Sequence, residues 1–498
     1  MLSAIMILVL SIIGSIVLLY LYMTQYAFKY WERRGIPGIP PTFPLGNVQM
    51  RRKNRVHSSV LFASFYEQLK VNDASFGGIY VFTRPIAVIL KLDVIRDILI
   101  RDFQHFSDRG VFYNEQDDPL SANLFTLTRD KWSILRAKLT PTFTTGRMKE
   151  MAVLVVGVSQ ELQLALKHTL KENHSVEIKD MMARFTTDVI GNCAFGINCQ
   201  SLKDPQSIFR QMGRKIFEGS TGSILKALFR AAFPTLARFL HCKAFDTEVT
   251  TFFMRVVEET LRQRELEGFE QRNDFMDLLI KMRQDGTHFT TEEMAAQAFL
   301  FFLAGFETSS STLTFCLYEL ALSPVIQSRV REEIQAISYK YDNQITYECL
   351  SEMKYLDRVI NETLRKYPPL AGLTRRVSET YTNAEGWKLM KDTSVFIPIY
   401  AIHHDPDIYG QPEMFNPDRF LPEEVSQRHR CAFLPFGDGP RNCIGLRFGL
   451  MQTKIGLAAL LSQFFFHPTP TTPKQIQFSR KSFALTPDGG LWLNVVEL

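Results

Sequence analysis

Cys443 lies in the segment Phe436–Gly445, FGDGPRNCIG, behind a glycine-rich loop and ahead of an apolar stripe at Ile444, Phe448, Met451, Ile455 and Ala459. The stripe has helical spacing, so the cysteine sits where a helix begins. A thiolate there is stabilised by unpaired backbone N–H groups and by the helix dipole. Gly439 and Gly445 would let the backbone come close to a flat cofactor. Arg441, two residues before the cysteine, is placed to reach a carboxylate on it. A cysteine taken alone is most often a buried structural thiol. The spacing Phe-x-x-Gly-x-Arg-x-Cys-x-Gly is much more specific than a lone cysteine and singles this one out.

A second group, Ala304-Gly305-Phe306-Glu307-Thr308-Ser309, falls inside a long apolar run. Ala304 and Thr308 are one turn apart on one helix face. Thr308 is expected to bond back to the carbonyl of residue 304; beside Gly305, that bond is expected to open the turn for a ligand and a water. Glu307 is an ionisable group in an apolar helix and therefore a proton-relay candidate. Trp132 and Arg136, at i and i+4, put an indole N–H and a guanidinium on one face, which suits a carboxylate. Glu362 and Arg365, at i and i+3, share a helix face. With Arg419 of the NPDRF segment 416–420 they make a carboxylate that two guanidiniums can hold buried. His403 and His404 lack metal-ligand spacing and read as loop residues.

These groups need elements to position them. Thr290 to Leu322 is the clearest helix: Thr290 and Glu293 form a capping-box pattern, and Pro324 stops it. It is apolar almost all round and hence buried. Strand-like segments are short: Gly78 to Leu90, Ser394 to Pro398, and Leu491 to Val496. Strands and helices do not alternate regularly and no repeat is visible, so the body reads as mainly helical with a minor sheet. Apolar residues make up 46% of 498 and charged residues 22%, which excludes a disordered chain and a polytopic membrane protein. The net charge of +5 is too mild to argue for nucleic acid. The 7 cysteines are irregularly spaced without a CxxC, as free thiols in a reducing compartment would be.

Residues 1–28 carry no charged side chain, and about 20 apolar residues suffice to cross the hydrocarbon layer. A basic leader and a small-residue cleavage site are both missing, so the segment reads as an uncleaved anchor. Tyr20, Tyr22, Tyr26, Tyr30 and Trp31 would form an interfacial aromatic belt. Lys29, Arg33, Arg34, Arg51, Arg52, Lys53 and Arg55 follow, against Glu32, and place this side in the cytosol. The sequons at Asn173 and Asn361 should then go unused. Residues 35–46, with Pro37, Pro40, Pro41 and Pro44, form a stiff linker. The expected division is an anchor over 1–28, a basic, proline-rich linker over 29–50 and a catalytic domain over 51–498.

Together, and in this order, the motifs resemble the cytochrome P-450 superfamily along essentially the whole chain. WERRGIPG, GGIYVFTRPIAVIL, HFSDRG and AIHHDPDIYGQPEMFNPDRF look like the insect microsomal enzymes of the detoxification clan. The resemblance implies the cytochrome P-450 fold, with haem b between the long distal helix and the Cys443 helix and Cys443 as axial ligand to the iron. It implies Trp132, Arg136, Arg375 and Arg441, with Arg109, as holders of the haem propionates, and Ala304 beside the haem. Glu362, Arg365 and Arg419 match the family's buried triad, and Thr308 with Glu307 its oxygen-activating pair. Substrate contacts are expected at Phe112, Phe125, Phe301, Ala304, Leu370, Leu373 and Phe483. The implied activity is monooxygenation of lipophilic small molecules, with NADPH as the indirect electron source. The implied partners are a membrane-bound flavoprotein reductase, cytochrome b5 and membrane lipid, with an endoplasmic-reticulum location. Lys131, Lys138, Arg428 and Arg430 are candidates to dock the reductase, and residues 224–240 to dip into the bilayer. A haem-thiolate isomerase or a haem carrier would need neither Thr308 nor a reductase.

Overall fold

The computed structural model describes residues 2–49, 56–217, 221–266, 272, 274–286, 289–383 and 385–498. Arg51, Arg52, Lys53 and Arg55 lie outside the described residues. In chain order the elements that matter for the site begin with α1 (Leu2–Gln25), β1 (Phe76–Val81), β2 (Arg84–Ile89), α2 (Arg129–Leu139), α3 (Thr145–Glu172), β3 (Ser175–Glu177) and α4 (Ile178–Ile190). They continue with α5 (Thr291–Leu322), α6 (Lys354–Lys366), β4 (Leu373–Arg376), β5 (Ser394–Ile397), α7 (Ile399–His403), α8 (Leu446–Gln463), β6 (Phe464–Pro468) and β7 (Trp492–Glu497).

Helix α1 turns its apolar side chains from Ile5 to Tyr22 outward, and it is long and apolar enough to cross a membrane. Arg33 closes its end by donating to the carbonyls of Tyr26 at 2.6 Å and Gln25 at 3.2 Å. Trp31 is buried, only 2% exposed. Its Nε1–H donates to the Ile79 carbonyl at 3.2 Å, and its backbone N–H to the Tyr80 hydroxyl at 3.1 Å. The indole lies where a Cβ on Gly78 would stand. The proline-rich stretch is stitched along β1: Gly78 N–H donates to Pro37 at 2.8 Å, Ile39 N–H to Gly78 at 3.0 Å and Asn47 N–H to Tyr80 at 2.9 Å.

The strand-like run from Gly78 to Leu90 is a hairpin, β1 pairing antiparallel with β2. The break falls at Phe82, whose φ of 51° is left-handed and cannot continue a strand. The sheet runs β1-β2-β5-β4, with β2 parallel to β5 and β4 antiparallel to it. A second sheet, β3-β7-β6, closes the other end.

The helical body packs around α5. Its cap forms as the pattern predicts: Thr290 Oγ1 accepts from Glu293 N–H at 3.1 Å, and the Glu293 carboxylate accepts from Thr290 N–H at 2.9 Å. Pro324 ends α5 and opens the next helix, Pro324–Lys340, where its missing N–H costs nothing. Close approach of α4 to α5 needs Gly305, since a Cβ there would overlap Ile190. Contrary to its reading as a loop residue, His403 closes helix α7 and is fully buried.

Trp31 joins the apolar helix to the sheet, so Trp31→Ala should lower unfolding stability by about 3–5 kcal/mol, the usual cost of emptying a large aromatic site. Chemical denaturation of the detergent-solubilised chain reads it; a loss under about 1 kcal/mol would show the joint to be loose.

Candidate active site

Cys443 is held by its own loop. Its N–H donates to the Phe436 carbonyl at 2.9 Å, Gly437 N–H to Leu434 at 3.0 Å and Asn442 N–H to Gly439 at 3.1 Å. Helix α8 starts three residues on, with Gly445 as its N-cap. Gly437 and Gly439 have φ of 69° and 74°, a conformation that only glycine adopts cheaply. The tight constraint at Gly439 is the Leu99 carbonyl, which an added Cβ would overlap. Gly445 carries no such constraint: a Cβ there would meet only the Phe143 ring at 3.9 Å.

Among the free cysteines Cys443 is the exposed one, yet enough protein surrounds it that burial pushes its thiol up. The sulfur is thus accessible while hemmed in by protein. A Gly445 backbone hydrogen bond and the charges of Arg109 and Arg136 pull the thiol back toward ionisation.

Five side chains converge beside it. Arg109 donates to the Phe125 carbonyl at 3.1 Å and the Arg441 carbonyl at 2.9 Å. Arg136 grips Asn442 through its carbonyl at 3.0 Å and its Oδ1 at 2.9 Å. Arg441 donates to the Leu127 carbonyl, and its guanidinium lies 4.4 Å from the centre of the Trp132 ring. Arg375, on β4, donates to the Thr374 carbonyl at 2.8 Å. Arg375 and Arg441 are 1% and 2% exposed. Their Nε atoms, and Nη1 of Arg441, have no hydrogen-bond partner in the protein. Burial, with repulsion from Arg109, presses Arg375 and Arg441 down to about 9. Arg109 falls to about 10, mainly through burial. One acid, Asp108, opposes this at Arg441. Buried cations cost several kcal/mol each unless paired, so the cluster is built for an anion with more than one negative group.

On α5, Thr308 Oγ1 donates to the Ala304 carbonyl at 2.6 Å. The helix nevertheless remains α-helical from Thr291 to Leu322, so the expected opening of the turn does not occur. Room comes from side-chain size instead: Ala304 is exposed within a helix that is otherwise largely buried. Glu307 is buried, close enough to Arg210 for its charge to favour the guanidinium. Gln452, on α8, donates to the Gly305 carbonyl at 3.2 Å and to Ser309 Oγ. It ties the two helices together in the turn that carries Thr308. The sequence hint was a polar residue in the apolar face of α8.

The family model for cytochrome P450 matches residues 37–494. The chain belongs to the cytochrome P450 family. It is 45% identical to Probable cytochrome P450 6a23 of Drosophila melanogaster, over 99% of each chain. It is 44% identical to Cytochrome P450 6a2 of the same fly, over 97% of each. With Cytochrome P450 6A1 of Musca domestica it shares 43%, over 97% of this chain and 96% of the other. Relatives of this kind at nearly full length make it a P450 monooxygenase of the insect type, with haem as its cofactor.

The residues present fit haem. An exposed thiol precedes a helix N-terminus, and the arginine cluster matches a flat dianion bearing two carboxylates. Elsewhere in this P450, Glu362 accepts from Arg365 at 2.7 and 2.9 Å, with both side chains fully buried. Arg419 stands 3.4 Å from the same carboxylate, but its Nε makes no hydrogen bond. Its Nη2 donates to the Gly410 and Gln411 carbonyls at 2.7 and 2.9 Å. Asn416 N–H supplies the further bond to Glu362, at 2.9 Å.

Leu373 adjoins the Cys443 loop, in van der Waals reach of any Cβ at Gly437. Phe125 lies under Arg109 and Phe112 is buried beside Arg238; Leu370 is half-buried. Two expected substrate contacts are placed elsewhere. Phe301 packs among Phe143, Phe275 and Phe448 with ring centres 4.9–5.9 Å apart, as core. Phe483 is 68% exposed on an irregular C-terminal segment.

Arg375→Leu separates anion binding from folding. Loss of one charge-assisted bond, about 1.5–3 kcal/mol, should weaken haem retention roughly 10- to 150-fold. The apoprotein, freed of a buried unpaired cation, should be no less stable. Haem transfer to apomyoglobin and apoprotein denaturation measure the two; a destabilised apoprotein with unchanged haem retention would overturn the assignment.

Proposed function

We propose that this P450 inserts one atom of O2 into lipophilic small molecules, xenobiotics such as plant toxins and insecticides or endogenous lipids and steroids. Its electrons come from NADPH through a flavoprotein reductase, with cytochrome b5 as a further donor. The observation that carries the reading is the pair of buried cations Arg375 and Arg441, each with N–H donors left unpartnered, near the exposed thiol Cys443. Haem bound there supplies oxygen activation, which a thiolate ligand promotes by pushing electron density toward O–O cleavage.

The remaining roles belong to the chain. Arg109, Arg136, Arg375, Arg441 and Trp132 hold the propionates. The Thr308 hydroxyl, its proton committed to the Ala304 carbonyl, keeps lone pairs that fix a water, and Glu307 feeds protons to that water. Phe112, Phe125, Ala304, Leu370 and Leu373 bound the apolar substrate.

The chain sits in the endoplasmic reticulum membrane by α1, single-pass, with its body in the cytosol. Phe233, Leu236, Phe239 and Leu240 are exposed beside Arg230 and Arg238, which supports membrane contact of that segment. For reductase docking, Lys131 and Arg430 are exposed but paired with Glu115 and Asp438 at 2.7 and 2.5 Å. Arg428 lies over Tyr409 at 4.5 Å and Lys138 over Phe289 at 5.2 Å. The docking face therefore presents a mixed pattern of charge and gains orientation more than strength from these residues.

In reductase-containing membranes with a lipophilic probe, Thr308→Ala should keep consuming NADPH while product per NADPH falls about tenfold or more, the scale of a lost proton-delivery group. Unchanged coupling in the variant, or equal peroxide turnover without reductase, would reject oxygen insertion by this route.

A further inference from the structure

The imidazole of His403 joins two parts of the molecule that the mechanism treats separately. Its Nε2 accepts the Leu434 N–H at 3.0 Å, so that nitrogen carries no proton. Its Nδ1 faces the Arg365 carbonyl at 3.2 Å and is therefore the protonated one. Arg365 returns the contact by donating Nη1–H to the His403 carbonyl at 2.8 Å. The ring stacks on Phe433 with centres 5.5 Å apart and 23° between planes.

From Leu434 the chain of bonds continues. Leu434 accepts from Gly437, and Phe436 accepts from Cys443. Tyr409, beneath the Arg365 guanidinium, steadies the same strand of loop by donating to Ala432 at 3.1 Å.

We infer that His403 is a positioning residue for the iron ligand: a neutral ring that carries the geometry of the buried Glu362–Arg365 pair into the loop presenting Cys443. The inference rests on the reading of Cys443 as haem ligand. Burial, helped by the charges of His404 and Arg365, pushes the imidazole well below its ordinary value, in keeping with the neutral form. A neutral Nδ1–H tautomer satisfies both contacts at once. A protonated ring would set two N–H groups against each other at Leu434.

The decisive feature is an acceptor at Nε2, and three substitutions isolate it. His403→Gln offers a side-chain carbonyl to Leu434. His403→Phe keeps the ring and its stacking without an acceptor. His403→Asn keeps a donor for Arg365 but falls short of Leu434. In the full-length haem-loaded chain, H403Q should retain the wild-type fraction of the reduced carbon-monoxide spectrum typical of sulfur-ligated haem. H403F and H403N should lose half of it or more. Amide exchange in residues 430–437 should speed up at least tenfold in H403F and H403N, and stay slow in H403Q. Equal behaviour of H403Q and H403N, or wild-type exchange in H403F, would overturn the inference. Should H403F fail to fold, the Gln–Asn comparison decides alone. A wild-type chain lacking the sulfur-ligated spectrum would instead defeat the reading of Cys443, and the exchange comparison would still report on the His403–Leu434 bond.

Discussion

Positive charge held away from water is the constraint around which the cofactor side of the molecule is arranged. A guanidinium has five donors in a rigid fork. In Arg109, Arg136, Arg375 and Arg441 some of these are spent on backbone carbonyls, at Phe125, Leu127, Asn442, Thr374 and Arg441 itself. Two of those carbonyls come from the irregular stretch between Ser121 and Thr128. Backbone inside a helix has already committed its carbonyls, so only a loop can supply them at will. That loop must then be rigid by other means. Asn123 accepts from Phe125 N–H at 3.0 Å, Thr126 donates to the Asn123 carbonyl at 3.2 Å, and Gln297 of α5 accepts from Leu124 N–H at 3.0 Å. The arginines are thus aimed by carbonyls, and the carbonyls are fixed by amide side chains.

A second consequence concerns the two helices that face each other across the site. A thiolate on one side and a hydroxyl on the other act together only if α5 and α8 keep their separation. Gly305 lets α4 lie close against α5, and Gly456 does the same for α8 against Phe185 and Leu313. Small residues set how near the backbones come. Gln452 then pins their relative register through Gly305 and Ser309. Thr308 lies between those two positions in sequence, so the turn that carries the hydroxyl is held by Gln452.

How much of this was legible follows from what kind of interaction each part uses. The capping box at Thr290, the Cys443 motif and the Glu362–Arg365 pair are local patterns, and each appears where the spacing put it. Phe301, expected at the substrate from the family resemblance, packs in an aromatic cluster, because position in a motif does not name the neighbour that fills a helix face. Four phenylalanines from four distant segments met there. His403 looked like a loop residue because its partners are backbone groups of Arg365 and Leu434, which leave no trace in residue type. Gly439 was expected to admit a cofactor, yet its own constraint is a carbonyl from residue 99. Long-range backbone contacts are what sequence reasoning lacks.

Strand β4 carries an apolar and a charged side chain on one face. Successive side chains on a strand point to opposite faces. Leu373 and Arg375 therefore share one face, and Thr374 and Arg376 the other. Arg376 ties outward to Asp392 at 2.9 Å, while Arg375 is buried with the cation cluster and Leu373 stands next to Gly437. Pairing with β5, Leu373 to Ile397 and Arg375 to Val395, fixes the strand through its backbone and not through either side chain. Exchange of the apolar residue at 373 would alter the surface beside Gly437 and leave the cation two positions on where it was. Under the proposed function, changing the cation has no equivalent freedom, because a haem propionate would balance its charge. The strand thus separates an apolar position from a charged one by two residues while its backbone pairing serves both.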